Sequence, residues 1–94
     1  MTDAAAFDDL IHPRQRLMIC AALTQAKEMR FDLLAQALAM SAPTLSKHIS
    51  RLSEAGYLDS RPDQRDSRRQ WVTLTATGRA AYDGHMRALR ELMA

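Results

Sequence analysis

The chain has 94 residues, of which 47% are hydrophobic, 26% charged and 5% aromatic, and its formal net charge is +2. This length predicts one domain with a single, mainly aliphatic core, and it excludes a catalytic domain joined to a separate regulatory domain. No apolar run approaches the roughly 20 residues of a membrane helix, and the start lacks the layout of a signal peptide. We therefore expect a cytoplasmic protein without a membrane partner.

Cysteine and histidine usage argues against a metal site. The single cysteine, Cys20, excludes an internal disulfide, and the chain has no Cys-x-x-Cys pair. His12, His48 and His85 come from different predicted elements and lack the paired spacing of metal ligands. We expect no metal and no other cofactor. The apolar surroundings of Cys20 favour a buried thiol that acts as a small hydrophobe rather than a redox sensor.

The first part of the chain predicts a helix behind a loosely structured start. Residues 1–10 combine alanines with three aspartates and are expected to be a flexible or short helical segment. His12-Pro13 then begins a helix that ends near Glu28, because proline is tolerated in a first helical turn. Its inward side carries Leu17, Cys20, Ala21, Leu23 and Thr24.

A second, shorter helix follows. Residues 29–31 are predicted as an extended link, and Asp32 as the N-cap of a helix from Leu33 to Met40. The residues expected to face inward here are Phe31, Leu34, Ala35 and Leu38. The brief connection at residues 40–43 then leads into a third helix, an arrangement typical of a helix-turn-helix.

The third helix has marked ends. Ser41 can cap its start, Pro43 suits its first turn, and Gly56 can adopt the left-handed conformation that ends it. At 3.6 residues per turn, one face is apolar and the opposite face polar. The apolar residues are Leu45, Ile49 and Leu52, and the polar ones are Lys47, Ser50 and Glu54. The pattern predicts a recognition helix that faces a phosphate backbone and base edges.

After Gly56 the hydrophobic period changes from 3.6 to 2, which is typical of strands. Two strands are predicted, Tyr57–Arg61 and Gln70–Thr75, and the turn-forming segment between them contains three arginines. This pattern predicts a hairpin, or wing, at about residues 57–75 with a mobile basic tip. We expect Trp71 to pack under the wing, and base stacking by its indole is the alternative.

The last helix has an apolar stripe that must pack against another surface. Thr75 is expected to cap a helix from Ala76 to about Met93, within a C-terminal segment of residues 76–94. Its apolar residues recur at spacings of four, three and four, namely Tyr82, Met86, Leu89 and Met93. Either the domain itself or a second copy could cover them. We expect a dimer interface formed by these residues together with Leu10 and Ile11.

The surplus positive charge is local. Six basic and four acidic residues lie between Ser41 and Thr73, and the remaining chain has seven of each. The excess therefore lies on the third helix and the wing, where a polyanion would dock. Together the elements predict a mainly α fold with a small antiparallel β-wing (α+β), a winged helix-turn-helix over residues 11–75.

Five short stretches occur in a specific order, namely IHPRQRL at 11–17, LSKHISRL at 45–52, EAGYL at 54–58, RRQWVTLT at 68–75 and GRAA at 78–81. In this order the chain resembles the short MarR/ArsR-like bacterial transcriptional regulators over nearly all of residues 11–92. The resemblance implies a homodimer on double-stranded DNA. One recognition helix per subunit would enter successive major grooves of a pseudo-palindromic operator, and the wings would lie on the flanking minor grooves or backbone.

The resemblance leaves a small-molecule effector unknown. Longer MarR-type proteins have additional helices that build a dimer domain and a ligand pocket, whereas one helix follows the wing here. ArsR-type metal sites use clustered Cys, His and acidic residues, and the sequence has no such cluster at ligand spacing.

The residues expected to contact DNA are Pro43, Thr44, Ser46, Lys47, Ser50, Arg51, Arg65, Arg68 and Arg69. Lys47 and Arg51 could be ordinary solvated charges, but their position on a capped helix after a tight turn favours a phosphate or base contact. Thr44 could serve only to support the turn, and Arg69 could be a structural partner of the adjacent strand. His48 is expected to be half-buried and hydrogen-bonded, with a packing role.

Together, these patterns favour a sequence-specific DNA-binding regulator, most simply a repressor. A winged-helix module that binds protein instead of DNA is the alternative, because a fold does not determine a function. An enzyme is disfavoured, since the sequence shows no set of nucleophile, base and orienting residue and no glycine-rich phosphate loop.

Overall fold

The computed structural model describes residues 5–94, which form four helices and three short strands. In chain order the elements are α1 (Arg14–Ala26), β1 (Glu28–Arg30), α2 (Phe31–Ala37), α3 (Ala42–Glu54), β2 (Leu58–Pro62), β3 (Gln70–Leu74) and α4 (Ala76–Met93). This is a winged helix, which confirms the predicted fold class. Part of the segment predicted at residues 1–10 lies outside the described residues. None of the helices in residues 5–94 is both long and apolar enough to cross a membrane.

The sheet has three antiparallel strands in the order β1-β3-β2, so β3 is central. The hairpin of β2 and β3 was predicted, but β1 was expected to be only an extended link. In the structure Glu28 pairs with Thr73 and Arg30 with Trp71. Three residues are too few to show a period of two, and β1 forms because the second edge of β3 is available for pairing.

The helix boundaries on either side of β1 differ from the prediction. α1 ends at Ala26 rather than near Glu28, because Lys27 adopts a left-handed φ of 66° and the next residues join the sheet. α2 begins at Phe31 with Arg30 in the N-cap position, so Asp32 is not the cap. Asp32 lies in the first turn and accepts two hydrogen bonds from the Arg30 guanidinium, at 2.7 and 2.9 Å. A residue type that favours N-caps does not by itself locate the cap.

α2 also ends earlier than expected, at Ala37 rather than Met40. Ala39 has a left-handed φ of 54°, which stops the helix before the turn that leads into α3. The residues predicted to face inward do so, with Leu34 completely buried and the others partly buried against the core, namely Phe31, Ala35 and Leu38.

The boundaries and the inner face of α3 agree with the prediction. The Ser41 hydroxyl accepts a hydrogen bond from the Thr44 backbone N–H at 3.3 Å and donates to Thr44 Oγ1 at 2.9 Å. Pro43 lies in the first turn, and Gly56 follows the helix with a φ of 81°. The three apolar residues of the inner face are buried, namely Leu45, Ile49 and Leu52.

The core is aliphatic, as composition predicted, and it includes the cysteine. Completely buried residues include Ile11, Ile19, Leu34, Leu45, Leu52 and Val72. Cys20 is also completely buried, and burial, with a smaller contribution from Asp8, raises the pKa of its thiol to about 11. Ile11 was expected at a dimer interface. Its complete burial within the single chain corrects that prediction, because it exposes no surface to a second copy.

α4 begins at the predicted cap, where the Thr75 hydroxyl accepts from the Gly78 N–H at 3.0 Å. Its buried residues are Gly78, Gly84, His85 and Ala88. The predicted stripe therefore lies at the edge of the buried face: three of its members are half-buried and Met93 is 78% exposed. Gly78 permits close packing, since a Cβ there would lie 2.2 Å from the Tyr57 carbonyl oxygen.

Candidate nucleic-acid interface

α3 presents four differently surrounded sides, because successive side chains of a helix are rotated by about 100°. The apolar side contacts the core. Ser46, Ser50 and Ser53 lie on the side toward the wing, where they line a groove. Lys47 and Arg51 are exposed on the outer side, one turn apart. His48 lies on the remaining side, toward α1.

The groove between α3 and the wing has a volume of about 480 Å³. Its lining combines hydroxyls, an amide and a cation, and consists of Phe31, Ser46, Ile49, Ser50, Ser53, Ser60, Arg68 and Gln70. Hydroxyls and amides both donate to phosphate oxygens, and a guanidinium can do so bidentately. The groove therefore offers hydroxyl, amide and guanidinium groups between the apolar side chains of Phe31 and Ile49.

Asp63 accepts the hydrogen bonds that organise the wing tip. Its Oδ1 accepts from the backbone N–H groups of Arg65 and Asp66, at 2.7 and 3.1 Å. Its Oδ2 accepts from the Trp71 indole at 2.9 Å. The Trp71 bond, followed by the two backbone bonds, lowers the pKa of the Asp63 carboxyl. Trp71 is half-buried and packed at the wing, as predicted.

The three arginines of the wing tip have different surroundings. Arg68 donates to both oxygens of Asp66, at 3.0 and 3.2 Å, but its side chain is 89% exposed. Arg69 lies 3.6 Å from the same carboxylate and is 47% exposed, which agrees with the structural role that was its alternative. The Arg68 bonds, together with the nearby Arg69 charge, lower the pKa of Asp66.

Arg65 and Arg68 lie on different faces of the wing. Because strand side chains alternate between faces, Ser60 and Gln70 face the groove with Arg68, and Trp71 faces away from it. Arg65 lines the far face with Trp71 and Arg61, which lies 5.6 Å above the indole ring and pairs with Glu28 at 3.0 Å. The two arginines that the sequence placed together therefore cannot both line the groove.

The remaining predicted site residues lie at the start of α3. Thr44 uses its hydroxyl and its N–H in the bonds to Ser41, so the structure shows the turn-supporting role that was its alternative. Pro43 is exposed beside it in the first turn.

His48 is half-buried and hydrogen-bonded, as predicted. Its Nε2 lies 2.8 Å from Gln15 Oε1 and its Nδ1 lies 3.3 Å from an Arg16 guanidinium nitrogen. Burial and then the charges of Arg16, Arg51 and Lys47 lower the pKa of His48. The sequence did not indicate that Gln15 and Arg16 contact His48, because they lie 33 and 32 positions before it and no local pattern connects them.

Sequence reasoning also missed Asp8. Its carboxylate accepts from the backbone N–H groups of Leu10 and Ile11, at 2.9 and 3.0 Å, and from the Tyr57 hydroxyl at 2.6 Å. Its own N–H donates to His85 Nδ1 at 2.9 Å. Aspartate side chains often accept hydrogen bonds from backbone N–H groups two or three residues later, so this turn could have been recognised from the sequence.

Two of the three histidine side chains are in contact with each other. His85 is completely buried, and its Nε2 lies 3.2 Å from His12 Nδ1. Within residues 5–94, no group of three or more His, Cys, Asp or Glu side chains is arranged to hold a metal ion.

The comparisons with known proteins agree with this architecture. A family model described as a winged helix DNA-binding domain matches residues 15–93. No curated protein matches the chain significantly.

Solved structures share the fold. A transcriptional regulator homologue from Pyrococcus horikoshii OT3 superposes with a TM-score of 0.86 at 20% identity, over 89% of this chain and 84% of that one. NadR in complex with 4-hydroxyphenylacetate gives a TM-score of 0.78 at 25% identity, over 89% of this chain and 60% of its own.

Overoxidized AbfR bound to DNA also gives a TM-score of 0.78, at 20% identity, over 84% of this chain and 58% of its own. This chain thus spans about three-fifths of the AbfR and NadR chains. The Pyrococcus structure is described as a transcriptional regulator homologue, which agrees with the class indicated by the sequence resemblance. Because the family model covers well over half of its residues, the protein belongs to the winged helix DNA-binding domain family.

Proposed function

We propose that the protein is a sequence-specific transcriptional regulator that binds double-stranded DNA as a homodimer, with α3 in the major groove. The observation that carries the proposal is the set of exposed cations on the outer side of α3 together with the hydroxyl and guanidinium groups of the adjacent groove. Lys47 and Arg51 are exposed there, and Arg68 lies across the groove from Ser46 and Ser50. An α-helix fits the major groove, and cations beside it can neutralise the phosphates that border it.

The wing contributes a second contact in this proposal. Arg68, with its largely exposed side chain, binds the backbone along the groove and exchanges Asp66 for a phosphate. Arg65, on the far face of the hairpin, enters the flanking minor groove, whose potential attracts arginine where it is narrow. Arg69 supports the tip through Asp66 instead.

The homodimer is proposed to form through α4. Tyr82, Met86 and Leu89 are only half-buried in the single chain, and Leu92 and Met93 are 72% and 78% exposed. Leu10 is half-buried beside the core. In the proposed dimer a second copy buries these apolar residues, since exposed apolar patches mark interaction sites.

Repression by occupying an operator is the simplest mode of action, and the proposed role is regulatory rather than enzymatic. The family model describes a DNA-binding domain, and the structural neighbours include transcriptional regulators. AbfR, which shares the fold, is seen bound to DNA.

The test begins with selection of a preferred duplex from a random DNA pool, followed by fluorescence anisotropy at several salt concentrations. Phosphate contacts require that log K falls linearly with log salt, by about 0.9 per contact. We expect Lys47→Ala with Arg51→Ala to weaken binding and to reduce that slope by nearly two. Arg79→Ala with Arg90→Ala removes the same charge from α4 and serves as the control.

Unchanged affinity in the α3 double variant would remove the assignment of α3 as the recognition helix. The second candidate function, a protein-binding winged helix, is suggested by the acids of the wing tip, which neutralise part of its charge. No binding to any duplex at low salt, combined with a co-purifying partner protein, would favour that candidate.

A further inference from the structure

A polar contact joins the recognition helix to the first turn of α1. It consists of His48 on α3 and the consecutive residues Gln15 and Arg16, and we refer to these three as the α1–α3 polar contact. The ring nitrogens of His48 lie 2.8 Å from Gln15 Oε1 and 3.3 Å from an Arg16 guanidinium nitrogen. His48 lies on the side of α3 away from the wing groove, so it is not part of the surface already described.

The partners determine the protonation of the ring. A guanidinium only donates hydrogen bonds, so Nδ1 of His48 must accept from Arg16. A neutral imidazole that accepts at Nδ1 carries its proton on Nε2, which donates to Gln15 Oε1. Both ring nitrogens are therefore used, and the ring is oriented from two directions by α1.

Arg16 extends this contact to the N-terminal segment. Its Nε donates to the carbonyl oxygen of Leu10, which belongs to the turn capped by Asp8. The same Asp8 accepts from the hydroxyl of Tyr57, just beyond the C-terminal end of α3. The N-terminal turn is thus linked to α3 near its middle through Arg16 and beyond its end through Tyr57.

Such contacts can determine the rotation of α3, which its apolar side cannot do alone. Burial of Leu45, Ile49 and Leu52 is favourable but non-directional, whereas hydrogen bonds weaken steeply when misaligned. A rotation of about 20° would move a side-chain atom about 5 Å from the helix axis through about 2 Å. That displacement is enough to break a contact from Lys47 or Ser50 to a base edge.

We propose that Gln15, Arg16 and His48 are positioning residues for DNA recognition, which set the rotation of α3 on the domain without touching DNA themselves. The proposal rests on the proposed function, since it assumes that α3 is the recognition helix. In this role the neutral imidazole of His48 accepts from Arg16 and donates to Gln15. His48 therefore differs from its neighbour in the sequence, Lys47, which is proposed to contact DNA.

The test is a double-mutant cycle on the full chain with the selected duplex and, separately, a scrambled duplex. We expect Gln15→Ala to weaken binding to the selected duplex by about tenfold, the loss of one hydrogen-bonded contact, and His48→Ala by at least as much, because it also removes the bond to Arg16. The double variant should be no weaker than the weaker single variant, because both changes break the same contact. Binding to the scrambled duplex and the salt slope should stay unchanged, since no phosphate contact is lost.

Two isosteric variants keep the test valid if His48→Ala fails to fold. His48→Asn retains an acceptor near Nδ1 for Arg16, and His48→Gln retains a donor near Nε2 for Gln15. We expect both to bind the selected duplex more tightly than His48→Ala. In His48→Gln, the further change Gln15→Ala should weaken binding again, whereas in His48→Asn it should have no effect.

Additive losses in the cycle, or a salt slope reduced by His48→Ala, would mean that these side chains contact DNA directly and would overturn the proposal. Wild-type affinity of Gln15→Ala would also overturn it. The paired variant Lys47→Ala with Arg51→Ala distinguishes this failure from failure of the proposed function. If that variant loses affinity while the His48 and Gln15 variants do not, only the positioning role is wrong.

Discussion

The hydroxyl of Tyr57 donates a hydrogen bond of 2.6 Å to Oδ2 of Asp8, 49 positions earlier in the chain. Tyr57 follows the glycine that ends α3, and its backbone carbonyl accepts from the Thr75 N–H at 3.0 Å. Asp8 in turn donates its N–H to His85 on α4. One tyrosine therefore connects the end of α3, the start of α4 and the N-terminal segment.

Removal of this bond should destabilise the domain. We expect Tyr57→Phe to lower the free energy of unfolding by about 1–2 kcal/mol, the range for a partly exposed hydrogen bond to a carboxylate. Urea denaturation followed by circular dichroism measures the loss. Tyr82→Phe removes a hydroxyl from α4 without affecting Asp8, so it should cost clearly less, and an equal cost for both variants would contradict the prediction.

The same bond predicts a stability change in alkali. The hydrogen bond to Asp8, followed by burial, raises the pKa of Tyr57 to about 12 from the 10.0 of a free tyrosine. The folded state then retains a proton that the unfolded state loses, so this contribution is complete below pH 10 and is lost as the pH rises toward 12. The stability difference between wild type and Tyr57→Phe should shrink over that interval. A difference that stays constant to pH 12 would exclude the raised pKa.

Two glycines should respond differently to alanine. A Cβ at Gly78 would lie 2.2 Å from the Tyr57 carbonyl oxygen, so Gly78→Ala must displace the start of α4 and should cost about 3 kcal/mol. At Gly56 there is open space but a φ of 81°, so Gly56→Ala should cost only about 1 kcal/mol of backbone strain. Thermal unfolding of both variants gives the ranking, and the reverse order would contradict this geometry.

Asp63 should be required for an ordered wing tip. Asp63→Ala removes the acceptor for two backbone N–H groups and for the Trp71 indole, so the tip should open. Trp71 is the single tryptophan of the chain, and its fluorescence should shift to longer wavelength as its ring becomes hydrated. We expect weaker DNA binding as well. Asp59→Ala, on the exposed part of β2, is the matched control and should change neither the spectrum nor the affinity.

The end of α4 should control dimerisation. Leu92→Glu with Met93→Glu introduces charge at two residues that are 72% and 78% exposed, so the single chain should fold normally. We expect the dimer dissociation constant, measured by sedimentation, to rise at least about tenfold from burial of unpaired charge. Leu33→Glu, at an exposed leucine of α2, should leave it unchanged. A wild-type protein that is monomeric at tens of micromolar would refute the proposed interface.

Local patterns in the sequence were sufficient to locate α3 and α4. Ser41 and Thr75 act as the predicted caps, Gly56 adopts the predicted left-handed conformation, and Leu45, Ile49 and Leu52 form the predicted inner face. Caps and helical periodicity depend on residues within one or two turns, so the chain itself contains all the information they require.

Contacts between distant residues were decided only by the tertiary structure. The pairing of β1 with β3, the Tyr57–Asp8 bond and the Gln15–His48 contact join positions that are far apart in the sequence. No local pattern encodes them, because they arise when packing brings polar groups together that must then be paired.

The placement of the wing arginines on two different faces was also decided only by the tertiary structure. The sequence by itself determined that the chain has a winged helix with its surplus positive charge on α3 and the wing, because both follow from periodicity, caps and composition. Only the tertiary structure decided which cations share a surface, since the folded wing tip places Arg68 on the groove and Arg65 on the opposite face. Side-chain direction at the tip depends on the hydrogen bonds to Asp63 and Asp66, which form only in the folded hairpin.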